Sequence, residues 1–133
     1  MHLTVTEVTS LKDFTQSFSL QGLSLRGCRL TKEGMTVLCD LLRVNRSLTL
    51  FDLVKCSLSD DDIKKIIDSL QTNQCSKVSK MNFSNNSISN EGVTALAEYI
   101  KDHSNMEVVM SNNCVNAKTK ELIKEISANR ICC

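Results

Sequence analysis

The stretch VSKMNFSNNSISNEGVTALAEYI, residues 78–100, combines two hydrophobic periods in one short segment. Its first half places apolar side chains at Val78, Met81 and Phe83, and its second half places Gly or an apolar residue at every fourth position. Apolar residues two apart are typical of a strand, whereas a spacing of four is typical of a helix. The stretch therefore predicts a short strand, a turn at Asn86 and a helix.

The same skeleton occurs twice upstream and once, in damaged form, downstream. The two upstream copies are Leu20, Leu23, Leu25, Cys28, Leu30, Gly34, Leu38, Leu42 and Leu48, Phe51, Leu53, Cys56, Leu58, Asp62, Ile66, Leu70. The damaged copy is Val108, Met110, Asn113, Val115, Thr119, Ile123, with Asn105 at the first position. The four copies start at 20, 48, 78 and 105, which gives spacings of 28, 30 and 27 residues. A strand and helix repeated with a period in the twenties predict a solenoid.

The repeated pattern Leu-x-x-Leu-x-Leu-x-x-Cys/Asn-x-Leu resembles the long, ribonuclease-inhibitor type of leucine-rich repeat, over about residues 20–130. Repeats of this type also occur in innate-immune NLR receptors, Ran GTPase-activating proteins and tropomodulins. The resemblance implies an α/β solenoid in the form of a short right-handed horseshoe arc. A parallel β-sheet would line its concave face and α-helices its convex face, because strands pack more closely than helices. The family shares an architecture and no single activity.

A chain of 133 residues fits one domain, and we expect residues 1–133 to form a single leucine-rich repeat domain. Residues 20–47, 48–77 and 78–104 would be its repeats, and residues 105–133 a degenerate repeat with a C-terminal cap. Residues 1–19 would be an N-terminal capping helix or half of a repeat, since Leu11, Phe14 and Phe18 recur at helical spacing. A solenoid needs such caps because an open end exposes its apolar cross-section.

The helix ends carry local signals. Thr31, Ser59 and Ser89 are predicted N-caps whose hydroxyls accept from helix amides. Asn45 and Asn73 follow helix ends, where Asn tolerates a left-handed conformation.

The remaining positions of the repeat also lead to structural expectations. The ninth position, which holds Cys28, Cys56, Asn86 and Asn113, is expected to turn the chain inward and to bond the backbone of adjacent repeats. The last helix, about residues 117–129, is expected to turn Leu122, Ile123 and Ile126 inward.

Composition argues against several classes of function. The formal net charge is +1 and no basic cluster occurs, so we expect no nucleic-acid binding. Neither histidine stands in a nucleophile motif, and there is no Cys-x-x-Cys pair or Gly-rich phosphate loop. The acidic run 60–62 favours a helix-dipole role, because consecutive carboxylates on a helix point to different faces. We therefore predict no enzyme, cofactor or metal ion.

The two ends of the chain suggest a cellular location. The first residues lack a charged leader and a long apolar run, and the seven cysteines are an odd number, so we predict a cytoplasmic, reduced protein. A terminal Cys132-Cys133 is similar to the geranylgeranylated end of Rab-type GTPases. Membrane attachment is accordingly expected only if these two cysteines are lipidated.

The candidate binding residues are the strand and turn positions between the buried ones. They are Ser24, Arg26, Leu50, Asp52, Val54, Lys55, Lys80, Asn82, Ser84, Glu107, Val109 and Ser111. Leu50, Val54 and Val109 are predicted apolar anchors within a charged surround.

Three hypotheses for function follow. The first is a non-catalytic signalling module that binds a protein partner through its concave sheet, as a monomer or as part of a larger chain. The alternatives are a regulator of an enzyme, either GTPase-activating or inhibitor-like, and a capping fragment of a larger leucine-rich repeat receptor.

Overall fold

The computed structural model describes residues 2–4 and 20–133, with the backbone alone described for 2–4. These residues contain six strands and four helices that alternate from the second strand onward. In chain order they are β1 (His2–Thr4), β2 (Gly22–Ser24), α1 (Lys32–Val44), β3 (Leu50–Asp52), α2 (Asp60–Thr72), β4 (Lys80–Asn82), α3 (Asn90–Lys101), β5 (Glu107–Val109), α4 (Ala117–Ser127) and β6 (Ile131–Cys132).

The strands form one parallel sheet in the order β1-β2-β3-β4-β5-β6. Its register aligns equivalent residues of successive repeats, so that Leu23 lies beside Phe51 and Phe51 beside Met81. Helices α1 to α4 pack side by side on one face. Strands lie about 4.8 Å apart and helices about 8–10 Å apart, so the layered arc must curve with the sheet inside. The predicted α/β solenoid is confirmed.

The core is a strip between sheet and helices. The middle residue of each strand from β2 to β5 is buried, and so are the helical leucines and isoleucines that face it. Phe51 and Phe83 meet edge to face, with ring centroids 5.8 Å apart and planes at 75°. This geometry suits the quadrupoles of two aromatic rings. The pair joins the second repeat to the third.

The ninth position of the repeat works as predicted, as a ladder between repeats. Oδ1 of Asn86 accepts from the amides of Cys56 at 2.9 Å and Leu58 at 3.0 Å. Its Nδ2 donates to the carbonyls of Leu53 at 2.9 Å and Phe83 at 2.8 Å. One buried amide thus provides partners for four backbone groups in two repeats.

Cysteine replaces asparagine in this ladder one repeat earlier. The thiol of Cys56 lies 3.0 Å from the carbonyl oxygen of Leu25. Burial is the largest influence on this thiol and raises the pKa of Cys56 to about 11. The thiol therefore stays protonated near neutral pH and can donate.

One of the three predicted N-caps, Ser89, differs from expectation. Thr31 accepts from the Gly34 amide at 3.1 Å, as predicted. Ser59 and Asp62 form a capping box, in which the Ser59 side chain accepts from the Asp62 backbone amide and the Asp62 carboxylate accepts from the Ser59 amide at 2.9 Å and from its hydroxyl. Ser89 donates to Asp60, so the prediction that its hydroxyl accepts was wrong. At α3 the Asp60 carboxylate is the stronger acceptor and takes the role of the Ser89 hydroxyl.

Asp60 caps the helix of the next repeat. Its Oδ1 accepts from the amides of Ser89 at 2.8 Å and Gly92 at 3.1 Å. Partial burial raises the pKa of Asp60, but the hydrogen bonds from Ser89 and Gly92 outweigh burial and hold it below its ordinary value. The carboxylate is therefore charged near neutral pH, where it faces the positive end of α3.

Replacing Gly92 by alanine is expected to lower the free energy of unfolding by about 2 kcal/mol, because the cap and its charged hydrogen bonds are lost. A Cβ at this position would overlap the Asp60 carboxylate and approach the Ile88 Cγ2 methyl within 2.8 Å. Urea unfolding of Gly92→Ala measures the loss. In an Asp60→Ala background the same change should cost clearly less, and an equal cost in both backgrounds would rule out this steric explanation.

The asparagines after the helices do not adopt the predicted left-handed conformation. Asn45 has φ −71° and Asn73 has φ −90°. Both are buried, and their side chains bond the loop instead. Nδ2 of Asn73 donates to the carbonyls of Leu42 at 2.9 Å and Asn45 at 2.7 Å, whereas Oδ1 of Asn45 accepts from the Leu48 amide at 2.6 Å. A second asparagine ladder therefore runs along the helix C-termini.

The terminal segments differ from expectation in part. The helix predicted within residues 1–19 from Leu11, Phe14 and Phe18 lies outside the described residues, whereas strand β1 was not predicted. At the other end, α4 ends at Ser127 and β6 adds a strand with Ile131 buried. Ile123 is buried as predicted, but Leu122 is 48% exposed, so its inward assignment was wrong. Leu122 lies one residue before the buried position of the helix and therefore faces outward.

Candidate functional site

The concave face consists of two rows of side chains that alternate with the buried row of the sheet. The first row runs across the register pairs Gly22, Leu50, Lys80, Glu107, and the second across Ser24, Asp52, Asn82, Val109, Cys132. Successive side chains of a strand point to opposite faces, so burial of Phe51 on β3 places Leu50 and Asp52 in these rows. The parallel register brings these predicted site residues together on one surface.

Two apolar side chains on the concave face are exposed to solvent. Leu50 is 36% exposed and Val109 is 40% exposed, as their alternation predicted. They stand in different rows, with β4 between their strands. Both side chains are held by a paired sheet, so their positions on this surface are fixed by the fold.

Val54 and Ser84 are not on the accessible surface. Val54 is only 4% exposed and Ser84 only 7% exposed, so their prediction as solvent-facing site residues was wrong. Both follow the strand, where the chain turns inward and alternation no longer applies. Their amides donate to Asp52 Oδ1 and Asn82 Oδ1, each at 3.0 Å, and the Ser84 hydroxyl accepts from the Ser111 amide at 3.1 Å.

The charges on the concave face are partly paired. Nη2 of Arg26 lies 2.8 Å from Oδ2 of Asp52, and Nε lies 3.3 Å from the same oxygen. The other Asp52 oxygen accepts from Val54, so this carboxylate is fully occupied. The exposed side chains of Lys55, Lys80 and Glu107 show no ion pair or side-chain hydrogen bond with any residue that the structure describes.

Lys55 adopts an unusual backbone conformation. The third residue after each of the strands β2 to β5 has a left-handed backbone conformation. The φ values are 77° at Gly27, 58° at Lys55, 60° at Asn85 and 58° at Asn112. Gly and Asn adopt this region readily, whereas a lysine there costs about 1 kcal/mol. Sequence reasoning placed Lys55 on the surface but missed this feature, which was visible as the one lysine among Gly and Asn.

A groove lies away from the concave face. An open groove of about 690 Å³ lies between the loops after α2 and α3, where Tyr99 stacks on His103 with centroids 4.3 Å apart. Over residues 2–4 and 20–133, no three His, Cys, Asp or Glu side chains are grouped as a metal ion would require. No helix in the same ranges is long and apolar enough to cross a membrane.

The two terminal cysteines differ in environment. Cys132 is exposed beside Val109, and the side chain of Cys133 packs partly against the core. Burial raises the pKa of the Cys133 thiol, which lowers its reactivity as a nucleophile. Lipidation of the pair stays a prediction, and Cys132 is the more accessible of the two thiols.

Comparisons with known proteins agree with this architecture. A family model described as leucine-rich repeat matches residues 16–39 and 74–97. Over 102 residues the chain is 32% identical to human NACHT, LRR and PYD domains-containing protein 5, covering 75% of this chain and 8% of that protein. It is 32% identical over 85 residues to mouse NACHT, LRR and PYD domains-containing protein 4B, covering 63% and 10%.

A third relative and a solved structure extend the similarity. Over 127 residues the chain is 23% identical to Rho GTPase-activating protein gacW of Dictyostelium discoideum, covering 93% of this chain and 11% of the relative. The chain thus spans about a tenth of the length of these curated relatives. The solved structure titled Leiomodin-1 Actin-Binding Site 2 superposes with a TM-score of 0.76 at 16% identity, covering 92% of this chain and 72% of that one. This structural likeness concerns the fold.

Proposed function

Because the chain is a leucine-rich repeat protein of the ribonuclease-inhibitor-like type, we propose that it is a non-catalytic module that binds a protein partner through its concave face. The observation that carries the proposal is the exposure of Leu50 and Val109 on an otherwise polar sheet. Aliphatic side chains held on a rigid surface and ringed by charges are typical of binding anchors. Solenoids present their concave surfaces to partners in the same way.

The double variant Leu50→Glu/Val109→Glu is expected to lose its partner in an affinity pull-down from cell lysate read by mass spectrometry. Losing both apolar contacts and desolvating two carboxylates beneath the bound protein would cost several kcal/mol, enough to reduce capture more than about 100-fold. Val54 is left unchanged because it is buried.

The matched control is Val44→Glu/Leu122→Glu, which makes the same chemical change at exposed residues of α1 and α4. This control should capture the same protein as the wild type. Equal capture by the concave-face variant, with unchanged thermal unfolding, would contradict binding through this surface.

Regulation of a GTPase is the second candidate function, and the observation that favours it is the similarity to gacW. The matched segment covers only 11% of that protein, so the similarity concerns the repeats. Stimulated GTP hydrolysis by a Rho-type GTPase on adding the chain would support this role. Unchanged hydrolysis at saturating concentrations would leave the binding module as the better proposal.

We also propose that residues 1–133 form one domain, in which residues 20–104 are the repeats, residues 105–133 a degenerate repeat with a C-terminal cap, and residues 1–19 a capping helix or half of a repeat. The support comes from α4, which carries Lys120 and Lys124 where α3 carries the buried Val93 and Ala97. A polar outer face is typical of a capping repeat. The unit could serve alone or as the cap of a longer receptor.

A further inference from the structure

We propose that the protein partner presents an acidic segment to the concave face, with Lys55 as the residue that selects it. This inference rests on the proposed function, because it names the chemistry of the partner that the concave face would bind. Its basis is the arrangement of charge around β3, together with the backbone conformation of Lys55.

Three cations surround β3. Arg26 reaches Asp52 from the first repeat, Lys80 is the register partner of Leu50 on β4, and Lys55 follows the end of β3 in the same repeat. Asp52 is the carboxylate among them, and both of its oxygens are already occupied. Glu107 lies on the far side of Lys80 from Leu50, and the described residues show no ion pair between Lys80 and Glu107. The surface around Leu50 is therefore cationic although the whole chain carries a charge of only +1.

Among the described residues, no carboxylate pairs with the free lysines of this surface. Lys55 and Lys80 are exposed and have no partner for their ammonium groups among the described residues. Aspartate or glutamate on a bound segment would supply both counter-charges, and an apolar residue between them would cover Leu50. Charges arranged in this way set specificity and the rate of association more than total affinity.

The backbone of Lys55 gives the second reason. The equivalent residues of three other turns are Gly27, Asn85 and Asn112, which tolerate positive φ, whereas Lys55 has φ 58° without that advantage. Among residues 20–133, the Lys55 side chain forms no ion pair or hydrogen bond that would offset this cost. A conformational cost kept at a surface position is typical of a binding residue. Lys55→Gly should consequently fold more stably and bind less well.

The test uses a library of random peptides about 12 residues long, selected on the immobilised full chain. The selected peptides should be enriched in Asp and Glu next to an apolar residue. Binding of these peptides should fall about tenfold in Lys55→Gly, while the thermal midpoint of this variant rises by about 3 °C. Lys55→Arg should retain binding, and Lys118→Ala on the outer surface of α4 should behave as the wild type. Raising the salt concentration to about 1 M should remove most of the advantage of the acidic peptides.

The outcomes separate this inference from the proposed function. Peptides that lose binding in Leu50→Glu but carry no excess of acidic residues would overturn the inference and leave the concave face as the site. Acidic peptides that bind Lys55→Gly as tightly as the wild type would also overturn it. Peptides that bind Leu50→Glu as tightly as the wild type would instead remove the concave face itself.

Discussion

The variant Asn86→Ala is expected to lose about 3–5 kcal/mol of unfolding free energy. The Asn86 side chain serves the amides of Cys56 and Leu58 and the carbonyls of Leu53 and Phe83. Alanine would leave these groups without their partner in a buried site, at a cost of about 1–3 kcal/mol for each one that water cannot reach. This loss is a large part of the stability of a domain of this size. Equilibrium urea unfolding followed by circular dichroism measures it.

One control variant separates the donor half of the Asn86 amide from its acceptor half. Asn86→Cys reproduces the residue that the second repeat uses at the same place, where the Cys56 thiol lies 3.0 Å from a carbonyl oxygen. It should restore part of the donation and lose less stability than alanine. Hydrogen exchange should show faster opening of the Cys56 and Leu58 amides in both variants. An alanine variant that loses under about 1 kcal/mol would show that water or local rearrangement satisfies the ladder.

The variant Phe83→Ala is expected to lose about 3–5 kcal/mol, because it removes a fully buried ring and leaves a cavity. Phe83 is 0% exposed, and its ring meets Phe51 edge to face. Urea unfolding again measures the loss, and Phe83→Leu should lose clearly less because it fills most of the space.

A double-mutant cycle tests the aromatic contact itself. The changes Phe51→Ala and Phe83→Ala should couple by about 0.5–1.5 kcal/mol, the additional worth of an edge-to-face pair. Strict additivity would mean that each ring stabilises its own repeat and does not tie one repeat to the next.

The spacing of the hydrophobic residues predicted most of the architecture. The apolar positions from Leu20 to Ile123 predicted each of the strands β2 to β5 with the helix that follows it. Apolar residues two apart favour a strand and apolar residues four apart favour a helix, so few other secondary structures fit the pattern. Strands β1 and β6 could not be found in the same way, because neither belongs to a complete copy of the repeated skeleton. Alternation also correctly predicted Leu50 and Val109, and it failed at Val54 because the strand had already ended.

Contacts between repeats were beyond the reach of the sequence pattern. Asp60 caps a helix whose N-cap residue, Ser89, lies 29 residues later, and Asn73 bonds Asn45 from 28 residues away. Local rules for N-caps and C-caps consider only neighbours along the chain, so they assigned Ser89 and Asn73 to the wrong roles. The left-handed φ of Lys55 was missed because lysine itself does not indicate it, and only the Gly or Asn at the equivalent position of the other repeats does.

The repeats of this chain differ in the residues that cap their helices, so one repeat does not substitute for another without a change at these positions. In the third repeat, Gly92 leaves room for the Asp60 carboxylate of the preceding repeat. In the second repeat, Asp62 takes the place of this glycine and caps its own helix, because the first repeat has Lys32 at the position of Asp60. A copy of the second repeat inserted after itself would bring two carboxylates to one helix end, and the third repeat placed after the first would find no acceptor. Duplication or loss of a single repeat during evolution would therefore require compensating substitutions at these positions, so the order of the repeats is itself specified residue by residue.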